Sequence, residues 1–217
     1  MKTVLCFGDS NTHGTTPMRR RDDVRRFGPT QRWPGAMRPI LGHCWEVIEE
    51  GLPGRTIARD DPVEGADRNA LRYLRPCLQT HGPLDMVVFM LGTNDLKARF
   101  GATPYDVAEG VHALIDTVRD HGALEGVVPQ VLIVCPAPLV ETGCLADMFT
   151  GGAHKSRQLA VPMKRAAQER QAGFLDAGEH VGVSALDGIH LDVDAHHRLS
   201  QVVAEKLREL CKARAKG

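Results

Sequence analysis

Four short polar clusters carry the residue types that acyl transfer needs: Gly8-Asp9-Ser10-Asn11, Glu49-Glu50-Gly51-Leu52, Gly92-Thr93-Asn94-Asp95 and Asp187-Gly188-Ile189-His190. A serine hydroxyl can attack a carbonyl once a base takes its proton, an acid orients that base, and hydrogen-bond donors hold the oxygen that turns negative. Ser10 supplies the hydroxyl. His190 is the candidate base, the side-chain type that exchanges a proton near neutral pH, so activity should fall on the acid side as it protonates. Asp187 stands three residues earlier, a spacing that one turn of chain can fold so that its carboxylate reaches Nδ1 of the same ring. The oxyanion donors would be the N–H of Ser10, the N–H of Gly51 and the side-chain amide of Asn94. Glycine suits a point where backbone must approach substrate closely, and an amide offers two N–H donors where a carboxylate offers none.

Each cluster also has a plainer reading. Gly-Asp-Ser is commonly a turn, Gly-Thr-Asn-Asp a turn with a helix cap, and Asp187 could cap the loop before the last helix. Asp9 reads as structural, bonding local backbone, and Asn11 as outside the catalytic set. The catalytic reading rests on the combination, because the clusters follow successive strands.

Those strands are expected at about 2 to 7, 44 to 49, 85 to 91, 131 to 135 and 173 to 176, as short apolar runs rich in β-branched residues. Helices are expected at about 31 to 41, 67 to 80, 104 to 121, 154 to 171 and 195 to 213. Thr103-Pro104 is a helix start, with Thr as N-cap and Pro at the first helical position. Leu199, Val202, Val203, Leu207 and Leu210 form one apolar stripe on the last helix. Strict alternation of strand and helix predicts one α/β domain over residues 1 to 217, a three-layer α/β/α, flavodoxin-like doubly wound five-stranded parallel sheet. In such a sheet ligands bind beyond the carboxyl ends of the strands, where all four clusters fall. Two long connections, about 12 to 31 and 140 to 152, should serve a site or an interface. The first holds Arg19-Arg20-Arg21-Asp22-Asp23 and Arg25-Arg26, which suit a solvated segment and a subunit contact equally.

Composition narrows the function classes. Hydrophobic residues at 42% and charged residues at 25% are the balance of a globular protein that can bury a core. Lys plus Arg equals Asp plus Glu at 27 each, so no net field favours nucleic acid or an anionic membrane. The apolar stretch Thr3 to Phe7 is too short for a signal peptide or a membrane span, so the protein is expected to stay in the cytoplasm. Six scattered cysteines show no zinc spacing and no disulfide framework. No Gly-x-Gly-x-x-Gly and no phosphate-loop lysine follows the first strand, which argues against nucleotide binding.

The four blocks resemble those of the SGNH hydrolases, also called the GDSL esterase/lipase superfamily: Ser10 in Gly8-Asp9-Ser10, Gly51, Asn94 in Gly92-Thr93-Asn94-Asp95, and His190 in Asp187-Gly188-Ile189-His190. Leu5-Cys6-Phe7-Gly8-Asp9-Ser10, Arg32-Trp33, Val47-Ile48-Glu49-Glu50-Gly51-Leu52 and Met90-Leu91-Gly92-Thr93-Asn94-Asp95 look like the bacterial arylesterase branch that includes perhydrolase-like acyltransferases. The resemblance implies a flavodoxin-like fold, no cofactor, and hydrolysis of short-chain and aryl esters, small-molecule substrates, through an acyl-enzyme. It implies further that an alcohol or peroxide can replace water as acceptor, and that the long early loop helps build a homo-oligomer, with an octamer as the candidate assembly. Two departures from the branch are Asn11, where the family often has Leu, and Thr12-His13-Gly14-Thr15, which lacks tryptophan. An acetylated-carbohydrate esterase on the same fold is the nearest alternative. A metal-dependent hydrolase using Asp192, Asp194, His196 and His197 is a more distant one, because neighbours on a helix point about 100° apart and His196 and His197 would not share a metal. A non-catalytic binding protein on the same fold is the remaining one.

Overall fold

Parallel strands cannot be joined by tight hairpins, so each strand of this chain is followed by a crossover that lays helix over one face of the sheet. The computed structural model describes residues 1–214. Its elements are β1 (Lys2–Gly8), α1 (Ser10–His13), α2 (Trp33–Leu41), β2 (Trp45–Gly51), α3 (Ala70–His81), β3 (Met86–Met90), α4 (Pro104–Glu125), β4 (Gln130–Cys135), α5 (Gly152–Ser156), α6 (Ala160–Glu169), β5 (Gly173–Asp176) and α7 (Val193–Arg214). The strands form one all-parallel sheet in the order β2-β1-β3-β4-β5, the doubly wound order expected from the sequence.

Alternation along each strand divides the core between the two faces. On β1, Val4 and Cys6 pack with Trp33 and Met37 of α2 and with Leu199, Val203 and Leu207 of α7. Leu5 and Phe7 point the other way, joining Leu74 and Leu78 of α3, Val111 and Leu114 of α4 and Met163 of α6. This gives the three layers. Every residue of β3 is buried, as a central strand covered on both sides requires.

The structure corrects two sequence expectations. The helix expected over 154 to 171 is two helices, α5 and α6, because Pro162 has no N–H to give and is accommodated only in a first turn, which forces a new start at Ala160. The connection expected to be unstructured over 140 to 152 contains a 3₁₀ segment, Gly143–Phe149. The start of α4 matches its expectation closely: Thr103 Oγ1 accepts from the Asp106 N–H and the Asp106 carboxylate accepts from the Thr103 N–H, a reciprocal cap behind Pro104.

The Arg-rich connection closes on itself. Phe27 N–H donates to Gly14 O at 2.7 Å and Thr16 N–H to Arg25 O at 2.9 Å, so residues 14 to 27 leave and return at one point. Arg20 pairs with Asp22 and Arg25 with Asp23 within the loop, while Arg21 Nε reaches across to Cys144 O at 3.0 Å. The two long connections therefore meet. A third, between β2 and α3, is fastened by Lys97 and Arg99, which grip Asp61 and Glu64; Asp61 and Lys97 are almost fully buried there.

Candidate active site

The strand order reverses between β1 and β3, so their carboxyl ends open the crevice in which a doubly wound sheet binds its ligands. Ser10 follows β1 directly as the first residue of α1, and Asn94 follows β3. A backbone N–H at the first position of a helix has no partner within that helix. Asp9 is the N-cap: its Oδ1 accepts from Asn11 N–H at 3.0 Å and thereby sets the sharp turn at Ser10. The turn packs against the end of β2. A Cβ built on Gly51 would lie 2.1 Å from His13 N, and one on Gly8 would lie 2.0 Å from Thr12 Oγ1, so only glycine lets α1 settle there. Leu52 N–H bonds Gly8 O at 3.0 Å, so the alternation of the parallel ladder turns the Gly51 N–H out of the sheet edge, away from β1 and the Ser10 turn; Gly51, expected from the sequence as an oxyanion donor, instead serves the packing of α1 on β2.

His190 and Asp187 sit in one loop before α7, almost completely buried. Asp187 Oδ2 lies 2.7 Å from His190 Nδ1 and also accepts from Met18 N–H at 2.8 Å. Its Oδ1 accepts from the N–H groups of Ile189 and His190, each at 3.0 Å. Burial works to raise the Asp187 pKa, but bonds from the His190 ring, the His190 N–H and the Met18 N–H outweigh it and hold the carboxyl below its ordinary value. A carboxylate held ionised against Nδ1 fixes the proton on that nitrogen and leaves Nε2 with a free lone pair, the form that can take a proton from a hydroxyl. The Met18 bond comes from the Arg-rich connection, and Gly188 O accepts from Val140 N–H at 2.9 Å. Both long connections thus brace the loop that holds the acid and the base.

Asn94 is buried, with Nδ2 donating to Arg55 O at 3.1 Å and lying 3.4 Å from Asp9 Oδ2. The second contact is at the long end of hydrogen bonding, so that proton is the one an incoming anionic oxygen could draw away. Burial raises the Asp9 carboxyl to about 6, against the Asn11 N–H bond and the charges of His190, Arg55 and Lys97, which lower it. Asp95, by contrast, faces away from this group and takes the Ile57 N–H on both oxygens at 3.1 Å.

Asn11 has a larger part than its sequence position suggested. Its Nδ2 donates to Ile189 O and its Oδ1 accepts from Leu191 N–H, both at 3.0 Å. One side chain, adjacent to Ser10, therefore grips the backbone on either side of His190 and ties the hydroxyl-bearing turn to the imidazole loop. The only sequence signal for it is the amide itself beside Ser10.

The residues considered for a metal after His190 do not converge. Asp192 Oδ1 caps α7 by accepting from Ala195 N–H at 2.8 Å, and His197 Nε2 contacts Thr30 O at 3.2 Å. His196 is buried rather than solvated: its Nδ1 accepts from Trp33 N–H at 3.3 Å, its ring meets Phe27 edge-on at 5.3 Å, and burial pushes its pKa down to about 4. Among the described residues one other group, Glu50, Cys77 and His81, brings ligand atoms within 4.8 Å of one another. The Arg55 guanidinium beside it adds a positive charge that opposes a cation.

Residues 6–198 match the model of the GDSL-like lipase/acylhydrolase family. Among solved structures, a carbohydrate acetylesterase of Sinorhizobium meliloti superposes with a TM-score of 0.92 at 39% identity, covering 97% of this chain and 100% of that one. The aryl esterase of M. smegmatis superposes with a TM-score of 0.92 at 40% identity, again over 97% of this chain and 100% of that one. A member of the G-D-S-L lipolytic family from Veillonella parvula, 17% identical with a TM-score of 0.66 over 94% of this chain and 97% of that one, shares the fold. No curated protein sequence matches the chain.

Proposed function

The chain belongs to the GDSL-like lipase/acylhydrolase family, and from that premise we propose that it is a serine esterase acting on short-chain and aryl carboxylic esters. Ser10 Oγ attacks the ester carbonyl while His190 Nε2 takes its proton and passes it to the leaving alcohol. Asp187 holds His190 in the reactive tautomer. The Ser10 N–H and the Asn94 amide carry the charge on the carbonyl oxygen. Water then repeats the sequence on the acyl-enzyme, with the proton travelling in the opposite direction. No cofactor or metal enters this mechanism. The observation that carries the proposal is the 2.7 Å contact between Asp187 and His190 in a loop clamped to the Ser10 turn by Asn11.

The substrate class has two readings, because the neighbours of equal TM-score are an aryl esterase and a carbohydrate acetylesterase. A panel of aryl acetates, alkyl esters of increasing acyl length and acetylated sugars separates them. The expected result is turnover of p-nitrophenyl acetate that is unaffected by EDTA and falls as the acyl chain lengthens. Loss of turnover on chelation would restore the metal-dependent alternative, and no turnover of any ester would leave a binding protein. Methanol added to the same assay reports acyl transfer: methyl acetate formed beside acetate supports an alcohol, and by extension a peroxide, as second acceptor.

We propose a homo-oligomer, with an octamer as the candidate, on the Arg-rich connection and the exposed Val24 within it. Light scattering should give a mass well above 23.7 kDa, and a monomer would end that assignment. No described helix is long and apolar enough to cross a membrane. All six cysteines are free, which favours a reducing compartment and hence the cytoplasm; a native chain recovered with disulfides from outside it would overturn this placement.

A further inference from the structure

Asp9 is 2% exposed and carries more than its place at the start of α1 requires. Serine, threonine and asparagine cap a helix about as well as aspartate does, and each does so with a single oxygen. A carboxylate buried this deeply costs desolvation, which is what raises the Asp9 carboxyl to about 6. Oδ1 does the capping, taking the Asn11 N–H at 3.0 Å. Oδ2 faces Asn94 Nδ2 at 3.4 Å, across 85 residues of chain. The second oxygen therefore links the turn after β1, which carries the nucleophile, to the segment after β3, which carries the amide donor.

The two ends of the Asn94 amide are alike in size, so its partners decide whether nitrogen or oxygen is presented. Arg55 O accepts from Nδ2 at 3.1 Å and Asp9 Oδ2 stands within reach of the same NH₂ group. Two acceptors fix the nitrogen there. The side chain at position 9 must then accept on both sides, from Asn11 and from Asn94. An asparagine would turn its own NH₂ onto one of those donors. The length of the Oδ2 contact suits a group that has to yield: Asp9 directs the N–H and gives it up to an anionic oxygen, the stronger acceptor. His190, Arg55 and Lys97 set positive charge around the carboxylate, which offsets its repulsion of that oxygen.

We propose that Asp9 is a positioning residue for the oxyanion hole: one buried carboxylate sets the Ser10 turn with one oxygen and directs the Asn94 amide with the other, without touching substrate. It acts through Asn94 and so rests on the assignment of that amide as an oxyanion donor made above.

Asp9→Asn, Asp9→Ser, Asn94→Ala and the double variant of Asp9→Asn with Asn94→Ala are assayed with p-nitrophenyl acetate at about pH 8, above the Asp9 pKa of about 6, with kcat expressed per folded chain. Loss of one oxyanion donor lowers kcat by about 10² to 10³, so Asn94→Ala sets the scale. Asp9→Asn should lose about a hundredfold in kcat, with KM within about threefold of wild type. The double variant should stay within about threefold of Asn94→Ala, because the same amide cannot be lost twice. Asp9→Ser keeps a capping oxygen but leaves Asn94 one acceptor short; it should lose at least about tenfold, and it decides the matter if Asp9→Asn does not fold. A residue that only caps α1 would give losses that multiply in the double variant and an Asp9→Ser close to wild type. A residue that acts only by its charge would give a faster Asp9→Asn. Either result overturns the proposal. Asn94→Ala at wild-type kcat would overturn the oxyanion assignment and this proposal with it, whereas an impaired Asn94→Ala beside a wild-type Asp9→Asn removes the Asp9 role alone.

Discussion

Ser10→Ala is expected to lower kcat on p-nitrophenyl acetate by about 10⁴-fold or more while the chain stays folded. The substitution removes one oxygen from a residue that is already almost buried, and it keeps the backbone N–H that donates toward the oxyanion. Asp9 still caps α1 through its own side chain, and Asn11 still grips the His190 loop, because neither contact involves Oγ. What disappears is the nucleophile, and with it the acyl-enzyme. The residual rate should be that of water attacking an ester held by the donors, far below covalent catalysis. A variant within tenfold of wild type would mean that the ester is attacked by something else.

Asp187→Asn should cost about 10⁴-fold in kcat by another route. Asp187 accepts four hydrogen bonds, two on each oxygen. An asparagine amide has one acceptor oxygen and one donor nitrogen, so wherever the NH₂ is placed it faces donors. With the NH₂ toward His190, Nδ1 must become an acceptor, the ring proton moves to Nε2, and the base toward Ser10 is gone. With the NH₂ on the other side, it opposes the N–H groups of Ile189 and His190 and leaves them unpaired in a buried site. Each such group costs about 1 to 3 kcal/mol, so this variant should also melt at a lower temperature than Ser10→Ala. Asp187→Asn with nearly wild-type kcat would show that Asp187 only builds the loop.

The parts of this molecule that read directly from sequence are those where one local rule dominates. β3 is apolar at every position from Met86 to Met90 because both its faces are covered, and Thr103-Pro104 starts α4 because cap and proline preferences coincide there. The sheet order followed from strict alternation of strand and helix. The clusters around Ser10, Gly51, Asn94 and His190 were legible because of where they fall along the chain: Ser10 stands after β1, Gly51 closes the edge strand β2, Asn94 follows β3 and His190 precedes α7.

What stayed hidden is set by contacts between residues far apart in the chain. Asn11 grips the chain at Ile189 and Leu191, and no periodicity announces a bond across 178 residues. Asp9 reads as a residue bonding local backbone; its second oxygen faces the Asn94 amide, 85 residues further on. The brace from Met18 to Asp187 is a backbone N–H, which composition cannot reveal at all. The break before Ala160 is not visible in the apolar pattern, which runs through it, while Pro162 dictates where the helix can begin. Each of these features concerns how the site is held rather than what its reacting groups are.

The most direct measurement is covalent capture of the nucleophile. The wild-type enzyme is treated with a fluorophosphonate until esterase activity is gone, then analysed by intact-mass spectrometry and peptide mapping. The mechanism predicts one phosphonyl group per chain, on Ser10, accumulating at the rate at which activity is lost. Complete inactivation with Ser10 unmodified, or a label on any other residue, would contradict it.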